Sequence, residues 1–144
     1  MNAPLTTEQR MVGRTRPNAF DALRVAGKLG DRETNLRLWR TGDALRRLHA
    51  VGWQAPSGDV TVLQTPEARA AREKFAEIEA ASDPVVWPLV VRVVIEGAAI
   101  RECRDMLILP VRTGMVGYAD AVLLDQLRAA LDRIAPAFGV TPST

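Results

Sequence analysis

The sequence predicts an all-α domain of five to six helices with a helix-turn-helix in its C-terminal half. Hydrophobic residues make up 47% of the 144 residues but aromatic residues only 5%, and Ala- and Leu-rich stretches with interspersed charges favour helices. Strand-like alternation is almost absent outside residues 59–64. This length and composition predict one globular domain over 18–139, with flexible tails at 1–17 and 140–144.

The first two helices are predicted from their caps and apolar spacing. Asn18 can cap a short helix over 18–28, which Gly30 follows, because Asn accepts from exposed amides and glycine suits the position after a helix. A longer helix over 33–51 comes next and stops at Gly52. Its core-facing stripe consists of Leu38, Leu45 and Leu48.

The middle of the chain is predicted as a loop followed by a helix. Residues 54–64 contain Pro and Gly and alternate around Val60 and Val62, which indicates a loop with a short extended piece that packs both valines. The run Thr65-Pro66-Glu67 starts a helix that ends near residue 81, since Thr can cap and Pro is tolerated in a first turn.

Three more helices are predicted over 87–96, 100–107 and 111–134, and they give a helix-turn-helix at about 87–135. Gly97 closes the first helix and Pro110 opens the last, because glycine suits a helix end and proline a first turn. The last helix is expected to pack along most of its length through Val116, Leu123, Leu127, Leu131 and Ile134.

The spacing of this C-terminal segment resembles the promoter-reading fourth region of bacterial sigma factors. That region carries a Glu-Gly pair, a short amphipathic helix, an apolar residue before Pro, and a Thr near the start of its recognition helix. Here these positions are held by Glu96-Gly97, 100–107, Leu109-Pro110 and Thr113. The resemblance implies contact with promoter DNA. The candidate DNA-binding residues are Arg101, Arg104, Arg112 and Thr113.

The chemistry of the third helix of this segment predicts that DNA binding by the lone protein is weak. A recognition helix presents polar and cationic side chains near its start, whereas here Arg112 and Thr113 precede apolar residues and then Asp120, which phosphate repels. Arg101 and Arg104 on the preceding helix can hold the DNA backbone. The alternative interpretation is that all three arginines are simply solvated.

A second candidate surface lies in the basic N-terminal part. Residues 1–50 carry ten Lys or Arg against five Asp or Glu, whereas residues 81–144 carry six against seven. The 33–51 helix places four arginines on a face with no evident acid to neutralise them, and a partly exposed Trp beside its stripe can anchor a partner. A solvated face is the alternative. The candidate partner-binding residues are Arg37, Trp39, Arg40, Arg46 and Arg47.

The scarcity of cysteine and histidine limits the chemistry. A single Cys excludes an intramolecular disulfide, and Cys103 with His49 cannot form a Cys/His zinc site in a monomer. Cys103 is expected to be a small buried residue, with a reactive thiol as the alternative. No Gly-rich phosphate loop or paired nucleophile and base is present, so we expect neither an enzyme nor a cofactor. The longest apolar run is too short to cross a bilayer and there is no signal-peptide core, which predicts a cytoplasmic protein.

Residues 18–139 as a whole resemble the C-terminal half of the gene-transfer-agent activator (Gaf) family of alphaproteobacteria and its prophage-linked relatives. The resemblance depends on the order of several short motifs rather than on any one of them. These are Asp21-Ala22-Leu23, the amphipathic stretch 42–49, Gly97, the Pro-Val-Arg-Thr-Gly run 110–114, and Phe138-Gly139 before the chain ends.

The resemblance implies transcriptional activation of genes for phage-like particles, through a sigma-like segment that engages RNA polymerase. In the complete activators a separate N-terminal half binds DNA. At 144 residues this chain is expected to be a stand-alone second half, which needs a second DNA-binding activator protein as its partner. The alternative function is a phage-type small DNA-packaging protein, similar to a small terminase, in which a helical DNA-binding domain oligomerises.

Overall fold

A computed structural model describes residues 18–55, 58–106 and 116–140. These ranges form an all-α domain, which confirms the predicted fold class. The α-helices are α1 (Ala19–Val25), α2 (Arg32–Trp53), α3 (Pro66–Ala81), α4 (Trp87–Val90) and α5 (Val116–Ile134). A π turn, Val91–Ile95, extends α4, and three 3₁₀ turns cover Val60–Gln64, Ile100–Met106 and Ala135–Phe138.

Side-chain caps begin the helices much as the sequence predicts. Asn18 Oδ1 accepts from the amide of Phe20 at 2.8 Å, and Thr65 Oγ1 accepts from the amide of Ala68 at 3.1 Å. The prediction missed the cap of α2, where Asp31 Oδ1 accepts from Thr34 N at 2.9 Å. Helix α1 is shorter than the predicted 18–28 and ends at Val25.

Helix α2 lies at the centre of the domain and contacts α1, α3, α5 and the π turn. Its predicted stripe is confirmed, because Leu38 and Leu45 are buried and Leu48 packs against the core. Where α1 crosses α2, the ring of Phe20 lies directly over Gly42, in the space that a Cβ at this position would fill. Glycine at position 42 therefore permits the two helices to meet closely.

The 54–64 segment differs from its prediction. Val60–Gln64 is a 3₁₀ turn rather than an extended piece, and Asp59 Oδ1 caps it by accepting from Thr61 N at 3.1 Å. Val60 is 64% exposed, so the expectation that it packs into the core is wrong. The local hydrogen bonds of Asp59 favour a turn, and these outweigh the strand preference of valine.

The predicted helix 87–96 is an α-helix only as far as Val90. The chain then widens into the π turn, in which Val93 and Val94 are fully buried together with Val90. Consecutive β-branched residues weaken an α-helix, and the wider turn lets all three valines face the core. The predicted end is confirmed, since Gly97 has a φ of 80° and the amide of Ala98 donates to the carbonyl of Arg92 at 2.9 Å.

The two elements after Gly97 are only partly described. Residues Ile100–Met106 form a 3₁₀ turn instead of the predicted α-helix, with Cys103 fully buried. The apolar side of α5 is confirmed through Leu123, Leu127, Leu131 and Ile134. The helix ends at Ile134, as predicted, and the 3₁₀ turn Ala135–Phe138 follows it and ends at Gly139, which has a φ of 69°. Several predictions lie outside the described residues: the 1–17 and 141–144 tails, Leu107, Pro110, the 111–115 helix start, and the Val116 side chain.

Candidate partner-binding and DNA-contact surfaces

The basic face of α2 is neutralised within the domain. Arg37 forms an ion pair with Asp132 of α5, while Arg46 Nη2 lies 2.9 Å from Asp21 and 3.0 Å from Asp43. The expectation that no acid neutralises this face is therefore wrong. The acids escaped the sequence argument because Asp132 and Asp21 come from other helices.

Asp43 also pairs with Arg47, an exposed arginine of this face. The guanidinium of Arg47 lies 3.0 Å from Asp43, one helical turn away, although the Arg47 side chain is 80% exposed. Such surface pairs contribute little to stability and open at small cost. Arg47 therefore stays available to a partner. Arg40 is exposed and has no ion pair with any other described residue.

Trp39 is held from both sides by α1. Its indole Nε1 donates to Asp21 at 2.7 Å, and the guanidinium of Arg24 lies 4.4 Å from its ring centroid. Burial raises the pKa of Asp21, but the hydrogen bonds from Arg46 and Trp39 outweigh it and hold the pKa below its ordinary value. Trp39 thus already has an intramolecular role, and it is half-buried rather than free.

Arg104, a predicted DNA-binding residue, is engaged by α5. Its Nε and Nη2 each lie 2.8 Å from one oxygen of the Asp120 carboxylate, which is a two-point ion pair. The hydrogen bonds from Arg104 lower the pKa of Asp120, and the same pair raises the pKa of Arg104. Asp120 was expected to repel phosphate. It also forms an ion pair with Arg104, which was expected to bind phosphate.

The other predicted DNA-binding residues are not brought together in the described part. Arg101 is exposed and has no ion pair with a described residue, while Arg112 and Thr113 lie outside the described residues. DNA contact stays a prediction for Arg101, Arg112 and Thr113. The helix-turn-helix also stays a prediction, because its turn lies outside the described residues.

Cys103 and His49 have structural positions. The Cys103 thiol is fully buried, with Sγ 3.5 Å from the carbonyl oxygen of Ala99, and burial raises its pKa. These observations match a small core residue rather than a reactive thiol. His49 stacks on Trp53 at a centroid distance of 5.0 Å, and Trp53 meets Phe75 edge-on. His49 lies within α2, and its ring belongs to an aromatic cluster between α2 and α3.

The sequence argument missed a groove of about 590 Å³ between α3 and the C-terminal part of α5. Its floor includes Ile78, Trp87 and Ile134, and small side chains such as Ala70 and Ala129 form its walls. A signal for it exists in the sequence, because Ala70 and Ala81 on α3 lie about three helical turns apart and Ala129 and Arg133 on α5 about one, which places each pair on one side of its helix. This spacing indicates a groove only when both helices are known to line the same space.

The described residues form a small all-α domain. Comparisons with protein-family models, with curated proteins and with solved structures give no match to this chain. No helix within 18–55, 58–106 and 116–140 is both long and apolar enough to cross a membrane. In the same ranges no three His, Cys, Asp or Glu side chains are grouped as metal ligands would be.

Proposed function

We propose that the protein is a transcription activator subunit of the gene-transfer-agent or phage-like gene type, which acts in the cytoplasm by contacting RNA polymerase and a separate DNA-binding protein. The order of motifs, which resembles that of the Gaf family, supports the proposal that the activated genes are of this type. The ion pair between Arg104 and Asp120 is the main support for the proposed mechanism, because it favours contact with a protein over direct reading of DNA.

The reason lies in how proteins gain affinity for DNA. Binding to duplex DNA depends on cations that neutralise phosphates and release counterions. A guanidinium that already pairs with a carboxylate neutralises phosphate less well, so fewer counterions leave the DNA. Arg37, Arg46 and Arg104 are all paired in this way. The chain therefore contacts promoter DNA weakly, and the partner protein supplies the sequence-specific DNA binding.

The partner surface of this activator is the exposed part of the basic α2 face. Arg40 has no ion pair with a described residue, and Arg47 is held only by an exposed pair, so both can bind acidic groups of another protein. Arg101, in the 3₁₀ turn Ile100–Met106, offers a second contact point on the C-terminal segment.

A tethering experiment tests this function without knowledge of the natural promoter. The chain is fused to a heterologous DNA-binding domain whose operator lies upstream of a weak reporter promoter. Activation of the reporter by the fusion is the expected result, because it needs polymerase contact but no DNA reading by the chain itself. A fusion that binds its operator and fails to raise reporter transcription would contradict the proposal.

Charge reversal then locates the contact. Arg40→Glu with Arg47→Glu is expected to abolish activation and to leave the helical circular dichroism intact, whereas Arg69→Glu, on the exposed side of α3, is the matched control and keeps activity. Loss of activation with Arg101→Glu instead would place the contact on the C-terminal segment. A ring-shaped oligomer that binds duplex DNA with a steep salt dependence would replace the proposal with the packaging function.

A further inference from the structure

We propose that the groove between α3 and α5 binds an amphipathic helix of a partner protein, with its apolar face on the groove floor and its basic flank along α3. The groove holds about 590 Å³ and opens to solvent along both helices. Nothing in the transcriptional role above requires this site. The binding chemistry follows from the shape and charge of the groove alone.

The shape of the groove fits a helix of about three turns. On α3 the lining residues recur three or four positions apart, which keeps them on one side, and the stretch from Ala70 to Ala81 extends about 16 Å. On the opposite wall Ala129, Ala130 and Arg133 recur with the same spacing. Small side chains on both walls let the backbone of a third helix come close to α3 and α5.

The floor of the groove supplies the apolar contact. Val86, Trp87, Ile78 and Ile134 line the groove, and the last three are buried in the domain. A partner helix with apolar residues at every third and fourth position would cover these side chains, as in other complexes where a helix binds in a groove.

The charges on the rim select the partner. Glu73 and Glu77 lie one turn apart on the α3 wall, and neither forms an ion pair with another described residue. Two carboxylates at this spacing repel each other, and a Lys or Arg from a bound helix relieves that repulsion. Two cations also line the groove: Lys74, whose Nζ lies 4.9 Å from the centroid of the Phe138 ring, and Arg133 on the α5 wall. The bound helix therefore carries Lys or Arg on the flank that faces α3.

A second copy of this chain fits the groove poorly. Its own groove presents the same small side chains between the same two walls, so two grooves that face each other leave their centres empty. Empty apolar space forfeits the dispersion contacts that a filled interface gains. A projecting helix from a different protein fills the space instead.

Selection from a peptide library provides the test. A phage-displayed library of 16-residue helical peptides is panned against the full chain, with counter-selection against Ala129→Arg, which blocks the groove at an exposed position. We expect enriched peptides with apolar residues three and four apart and an excess of Lys and Arg on one flank. A synthetic consensus peptide should then bind at least tenfold more weakly to Glu73→Lys with Glu77→Lys, and equally well to Glu79→Lys, an exposed control outside the groove.

Each other result overturns the proposal. No enrichment, enrichment of peptides that bind Ala129→Arg equally well, or equal affinity for the Glu73→Lys with Glu77→Lys variant would each exclude a basic amphipathic helix in this groove. A dimer in sedimentation velocity that Ala129→Arg dissociates would assign the groove to a second copy. Peptide binding only after removal of residues 1–17 would assign it to this chain's own N-terminal segment. The experiment uses no promoter, so its failure is distinguishable from failure of the transcriptional role.

Discussion

Arg104 and Asp120 join the 3₁₀ turn Ile100–Met106 to α5 through two parallel nitrogen–oxygen contacts, each of 2.8 Å. The pair bridges residues 107–115, which lie between the two elements in sequence. It therefore holds the 3₁₀ turn against α5 and neutralises the charge of Arg104.

The Arg104–Asp120 pair predicts a stability change in acid. Because its folded-state pKa is lowered, Asp120 stabilises the fold fully above its ordinary pKa of about 4 and loses this contribution as the pH falls through the lower folded pKa. Urea unfolding midpoints from neutral pH to about pH 2.5 measure the effect. The midpoint of Asp120→Asn should fall less steeply with acidification than that of the wild type. Identical slopes would contradict the role of the ion pair.

The same substitution should strengthen DNA binding. Free Arg104 can neutralise one more phosphate, so Asp120→Asn is expected to steepen the dependence of log K on log salt by about one, from a wild-type slope of roughly two or three at most. Fluorescence anisotropy with a labelled duplex at several salt concentrations measures this slope. Asp125→Asn, which releases Arg128 elsewhere on α5, is the matched control and should behave like the wild type.

Gly42→Ala should destabilise the domain by about 1–3 kcal/mol, because the new Cβ meets the fully buried ring of Phe20. The better helix propensity of alanine offsets at most about 1 kcal/mol of this. Thermal denaturation measures the change, and adding Phe20→Leu should restore part of the loss. Gly117→Ala, with no described atom within 4 Å of the new Cβ, should be neutral or stabilising. Equal melting temperatures for both glycine variants would exclude the close approach of α1 and α2.

Arg72 joins three elements through its guanidinium. Its Nη1 donates to the carbonyl oxygens of Gly52 at 2.7 Å and of Leu63 at 2.9 Å, which ties α3 to the end of α2 and to the 3₁₀ turn after it. Arg72→Met should cost about 2 kcal/mol, the usual range for hydrogen bonds from a charged donor. Arg69→Met on the exposed side of the same helix should cost little. If chemical denaturation gives both variants the same midpoint, the two hydrogen bonds contribute nothing.

Cys103 should react slowly with a thiol reagent in the folded protein. Burial raises its pKa and keeps the reagent away, so the thiolate needed for attack is scarce and shielded. We expect one thiol to react with dithionitrobenzoate within seconds in denaturant and over hours in buffer. Stoichiometric reaction of the native protein within a minute would restore the reactive-thiol interpretation.

Local patterns predicted the helices well. The stripe through Leu127 and Leu131 and the caps at Asn18 and Thr65 depend on neighbouring residues, and the structure contains them where spacing and capping preference place them. The widening of α4 at Val91 was missed, because the choice between α and π turns depends on which valines the surrounding core accepts.

The surfaces were harder to predict than the helices. Arg37 and Asp132 lie 95 positions apart in sequence, so spacing along one helix cannot reveal that they meet. The groove presents the same difficulty, since Ala70 and Ala129 become opposite walls only through tertiary packing. Charge counts along the chain identified the basic half but could not show that Arg37 and Arg46 were paired with acids of other helices.

The central position of α2 has a consequence for how this protein can be divided. Leu127 and Leu131 of α5 belong to one continuous core with Leu38 and Leu45 of α2. A fragment that begins at residue 84 would leave those leucines in water, and it would aggregate or collapse without a unique structure. The segment 87–135 is thus not a portable module. A gene fusion that is to keep its structure must include α2 as well.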